Sequence, residues 1–192
     1  MESEAKKLHI EAEKAREKED FASSLRFSDE ATIAYQKENN LLGLAEVQSS
    51  RALTLRHLSE QTEDSNYLIL AKHAALASVE IALKSGNKQS LAIPYLTLGK
   101  THESLGEIAQ AVEAYREAVA YMTTNPPPAH NRSSVMNEML VHLSVAEYKS
   151  GDKSALVRAE KALADLVMSP EEDKYAKAPK VRFCKEELFQ TV

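Results

Sequence analysis

Residues 92–118 read AIPYLTLGKTHESLGEIAQAVEAYREA. Apolar side chains recur at helical spacing on both sides of Gly106, which breaks the pattern between two helices expected at about 89–105 and 107–124. Small residues at Gly99, Ala111 and Ala118 let two antiparallel helices approach, and the large Tyr95, Leu98 and Tyr115 fill the space beside them. The stretch reads as one helical hairpin.

The same reading extends along the chain. Further helices are expected at about 3–18, 20–38, 41–60, 64–85, 132–150 and 153–168, with tight turns inside pairs and looser connections between them. The stops are Glu19-Asp20, Asn39-Asn40, residues 61–64, Ser85-Gly86-Asn87, the prolines at 126–128 and Gly151-Asp152. Gly86 and Gly151 suit positions just past a helix, where a left-handed backbone is needed. Composition agrees. The 192 residues hold 5 Gly, 6 Pro and no Trp, and aromatics make up 6%. Strands favour β-branched and aromatic residues and their hairpins favour Asn-Gly turns, so an all-β fold and a Rossmann-type α/β fold are set aside. The expectation is an all-α chain.

The hairpin at 92–118 resembles a tetratricopeptide repeat. With Ala92 as its first position, Tyr95 falls at the aromatic site, Leu98-Gly99 at the Leu-Gly pair and Gly106 at the inter-helix turn. Ala111, Tyr115 and Ala118 follow at the small, aromatic and second small sites, while His102 stands where the family has Tyr. Leu143-Ser144, Gly151, Ala155, Ala159 and Ala162 repeat the pattern more loosely, and Asn40–Ala45 echoes Asn87–Ala92 at a spacing near 47. The resemblance implies a right-handed α-solenoid of about four antiparallel hairpins, at 3–38, 41–85, 89–124 and 132–168, within a repeat domain spanning 1–168. Residues 169–192 remain as a C-terminal capping helix or a docking tail. Ser169-Pro170-Glu171-Glu172 has helix-start spacing, Pro179 is expected to end that helix, and 181–189 to add an amphipathic turn or two.

Chemistry-bearing motifs are sparse. The six histidines, at 9, 57, 73, 102, 130 and 142, lack His-Glu-x-x-His spacing, so neither a metal nor a cofactor is expected; His102 and His142 read as half-buried packing residues. Glycine-rich phosphate loops and nucleophile elbows are missing, and no enzyme is expected. A net charge of −5, with 28% of residues charged, gives nucleic acid no basic surface to hold. A single cysteine, Cys184, excludes an internal disulfide. The polar N-terminus and the lack of an apolar run near 18 residues argue against membrane insertion and for a cytoplasmic protein.

What the resemblance implies is partner binding. In such arrays the first helix of each pair lines a concave groove. That mapping selects Lys6, His9, Glu13, Arg16 and Glu17, then Glu46, Ser49, Leu53, Arg56 and His57. It continues with Ile93, Leu96, Lys100, Glu103 and Ser104, and then Glu138, Val141, Val145, Tyr148 and Lys149. The strongest groove candidates are Arg56, Ile93, Leu96, Lys100, Val141, Val145, Tyr148 and Lys149. Among them Ile93, Leu96, Val141, Val145 and Tyr148 form an apolar strip for a helix or extended peptide, or else belong to the core between repeats. The carboxylate clamp of chaperone-binding members needs Lys and Asn where His9 and Glu13 stand, and a second Asn where Ser50 stands, which argues against that partner. The expected function is a non-enzymatic adaptor or scaffold for a protein or peptide partner. The alternatives are a self-associating homo-oligomer and a sensor for a small ligand or signalling peptide.

Overall fold

The computed structural model describes residues 2–170 and 174–191, and among these it holds nine α-helices and no strand. They are α1 (Glu4–Glu17), α2 (Phe21–Lys37), α3 (Leu41–Thr62), α4 (Asn66–Ser85), α5 (Ala92–Ser104), α6 (Ile108–Thr124), α7 (Ser133–Lys149), α8 (Ala155–Met168) and α9 (Lys174–Thr191). The first eight match the sequence reading to within a few residues at each end. Each helix packs on the next, and α1, α3, α5 and α7 also touch in succession.

Four of the turns share one construction. Glu19, Asn39, Gly106 and Gly151 all take positive φ, from 51° to 115°. In each case the following amide bonds the carbonyl five residues back: Asp20 to Ala15, Asn40 to Tyr35, Glu107 to His102 and Asp152 to Glu147, at 2.9–3.0 Å. This Schellman geometry satisfies carbonyls that a helix end leaves open. Asp20 and Asn40 then cap the next helix, accepting from the amides of Ser23 and Gly43. The α2–α3 connection is therefore as tight as those inside the expected pairs, against the expectation of a looser link there.

Alanine sets the spacing. Ala5, Ala31, Ala71, Ala75, Ala82, Ala92, Ala111, Ala118, Ala155 and Ala159 are fully buried, and Ala162 nearly so. Backbones brought this close leave notches for large side chains. A methyl group on Gly99 would overlap the ring of Tyr115, and one on Gly43 would overlap Tyr35. Both tyrosines are almost completely buried. Tyr95 stacks on Tyr121 with centroids 5.7 Å apart, and Leu98 is buried against α4 and α6. Small hydroxyls also join helices: Ser24 to Thr54 at 3.0 Å and Ser49 to Ser78 at 2.7 Å. His102, the departure from the repeat pattern, contacts Glu107 at the α5–α6 turn, and Glu107 in turn accepts from Lys72 of α4 at 2.7 Å.

The tail differs from its sequence reading. Pro179 lies inside α9 and does not end it. Its ring removes one backbone donor, yet the helix continues because Val181, Cys184 and Leu188 share a face that packs on Val141, Val145 and Leu166. The expected helix start at 171–172 falls outside the described residues. None of the described helices is long and apolar enough to cross a membrane.

Candidate functional site

Residues three and four apart share a helix face, so Lys6, His9 and Glu13 of α1 point the same way. With Glu46, Ser49 and Ser50 of α3 and Ile93 and Pro94 of α5 they line a cavity of about 580 Å³. Its far wall comes from the connections: Asn87, Gln89 and Ser90 before α5, and Pro127, Pro128 and His130 before α7. The prolines, which interrupt the helical pattern in the sequence, thus form a stiff apolar rim beside Ile93 and Leu42.

Burial sets the electrostatics of this cavity. Burial, then Lys6 and Arg16, push His9 down to about 4, and burial, then Arg132 and Lys180, lower His130. Both rings are neutral at pH 7, leaving Lys6, Glu13 and Glu46 as the lining charges. His9 Nε2 lies 2.9 Å from the Ser50 hydroxyl, a contact that a base and a nucleophile also make. The other ring nitrogen, however, faces the Tyr35 hydroxyl at 3.5 Å where a triad has a carboxylate. An imidazole that protonates only near pH 4 is also a weak base at neutral pH. The cavity offers hydrogen bonds and a small apolar floor, the features of a binding site.

The sequence-derived groove residues divide into three groups. Ile93, with Lys6, His9, Glu13, Glu46 and Ser49, reaches this cavity. Leu96, Val141 and Val145 do not form an open strip: Leu96 is buried in the α5–α6–α7 core, and α9 covers both valines. Helical spacing marks these as apolar faces without revealing that a later helix covers them. The polar candidates are engaged between helices. Arg56 donates to Ser104 at 3.1 Å, Lys100 pairs with Glu138 at 2.7 Å, and Lys149 pairs with Glu103 at 2.7 Å. Tyr148 lies under the Lys153 ammonium, 4.1 Å from its ring centre. Leu42, Asn87, Gln89, Pro127, Pro128 and His130 escaped the sequence reading because they sit on connections or a helix start, outside the groove periodicity.

No protein-family model and no curated protein sequence matches the chain.

Proposed function

We propose that the chain is a non-enzymatic, tetratricopeptide-like interaction module that holds a short peptide segment of a partner protein in the α1–α3–α5 cavity. The observation that carries this reading is the convergence of three alternate helices on one concavity whose lining combines apolar residues, neutral hydrogen-bonding groups and the charges of Lys6, Glu13 and Glu46. The succession of close contacts along α1, α3, α5 and α7, and the shared turn construction, fit a right-handed solenoid of hairpins. An occupant of extended backbone would use Ser50, Asn87 and Gln89 for main-chain bonds and place one apolar side chain against Ile93 and Pro127.

Affinity capture with the full chain tests this by comparing Ile93→Asp with Val157→Asp. Val157 is 68% exposed and lies outside the cavity. Partners retained by wild type and Val157→Asp but lost from a folded Ile93→Asp are the expected result. Equal recovery by all three overturns the cavity as the binding site.

A further inference from the structure

Glu103 at the end of α5, His142 in the middle of α7 and Glu187 late in α9 meet at one point. One ligand atom from each lies within 4.8 Å of the other two. His142 is only 7% exposed, and its Nδ1 stands 2.7 Å from Glu187 Oε2. Despite that approach, neither Nδ1 nor Glu187 Oε1 has a hydrogen-bond partner among the described residues, and both atoms are buried. Buried polar atoms are nearly always satisfied, so a carboxylate oxygen without a partner and a ring nitrogen held only by its ion-pair approach to Oε2, buried at one point, leave room for a third party.

We propose that Glu103, His142 and Glu187 form a site for a divalent transition metal of zinc's type, with water completing the shell, and that the ion staples α9 to α5 and α7. One imidazole and two carboxylates are nitrogen and oxygen donors that such ions accept. Two donors on one tetrahedral ion sit about 3.3 Å apart, so the 4.8 Å cluster closes by side-chain movement alone. Supporting groups stand behind the donors. Tyr115 donates to Glu103 Oε2 at 2.8 Å and stacks on the His142 ring with centroids 5.6 Å apart. Glu138 Oε1 lies 3.9 Å from His142 Nε2, an ion-pair distance too long for a hydrogen bond, on the side opposite the proposed ligand atom.

Among the described residues, the cation that competes for these donors is Lys149, whose ammonium contacts Glu103 Oε1 at 2.7 Å. Its side chain is 32% exposed and is free to swing into water when an ion arrives. This competition separates a metal site from a plain ion network, because removing Lys149 weakens a network but strengthens a metal site.

The experiment uses the full chain, stripped with chelator, titrated with Zn²⁺ by calorimetry and with Co²⁺ by visible absorption. Expected are one ion per chain, a Co²⁺ ligand-field spectrum and a raised melting temperature. His142→Asn and Glu187→Gln each weaken binding at least about tenfold, and Lys149→Gln tightens it. Glu187 sits on the last helix, so its variant keeps the proposal testable if His142→Asn fails to fold. Absence of both heat and spectrum overturns the site. So does binding that Glu187→Gln leaves unchanged, or an α9 whose docking follows pH but not zinc.

Discussion

Gly43 and Gly99 stand where an added methyl group would overlap a buried tyrosine ring. In an exposed helix, Gly→Ala gains about 1 kcal/mol of helix propensity. At Gly99 the added methyl would meet the Tyr115 ring, which is fully buried, stacked on His142 and tied through its hydroxyl to Glu103. The ring has nowhere to swing, and overpacking of this kind costs roughly 1–3 kcal/mol. Overpacking exceeds propensity, so Gly99→Ala is expected to lose about 1 kcal/mol in urea denaturation, and Gly43→Ala against Tyr35 to behave alike. A net gain in stability for either would mean the tyrosines are looser than their burial implies. Gly99 and Tyr115 were legible as a small and a large residue at helix-packing spacing. Gly43 was visible only as part of an echo, because its ring partner lies on the preceding helix and local spacing carries no sign of it.

Among the helices, ends were easier to read than coverings. Asp20, Asn40, Gly106 and Gly151 are local signals, since a cap or a left-handed turn needs only its own few residues. What covers a face is decided by chain far away. Val141 and Val145 read correctly as apolar, and α9, which Pro179 disguises, supplies the cover from some 40 residues on. Removing residues 170–192 is therefore expected to expose Val141, Val145 and Leu166 and to cost on the order of 3 kcal/mol. Denaturant melts and binding of a hydrophobic dye report it, with the dye signal rising as α9 is lost. An unchanged melt and dye signal would show that α9 contributes no cover in solution. The cavity was half legible for the same reason: its α1, α3 and α5 residues follow helical spacing, whereas its rim comes from Pro127, Pro128 and His130 on a connection.

For the molecule as a whole, acid acts in two stages. Burial pushes His9 down to about 4; burial, then Arg56 and Arg16, do the same to His57. A histidine whose folded pKa lies below its unfolded value of 6.5 stabilises the fold fully above pH 6.5 and loses that contribution as pH falls toward 4. For the 3%-exposed His9 the loss reaches roughly 2 kcal/mol by pH 5. Glu138 acts lower on the scale. Burial opposes its charge, yet Lys100, His142 and Lys180 outweigh it and hold the carboxyl at about 2. That contribution is present above pH 4.5 and disappears as pH falls toward 2. Urea midpoints should therefore drop between pH 7.5 and 5, with His9→Gln flattening the slope. A slope unaltered by His9→Gln would place the acid sensitivity elsewhere.

The lone thiol gives the α7–α9 seam a chemical consequence of its own. Cys184 is fully buried on the inner face of α9, and burial, with Glu138 and Glu187 adding to it, pushes the thiol up to about 12. Thiol reagents and oxidants attack the thiolate, which is scarce at neutral pH in the docked state. An α9 lifted from Val141 and Val145 would bring the sulfur into solvent and return it to ordinary acidity. The thiol chemistry of Cys184 is thus tied to the docking of α9, and its alkylation rate would record how often that helix opens.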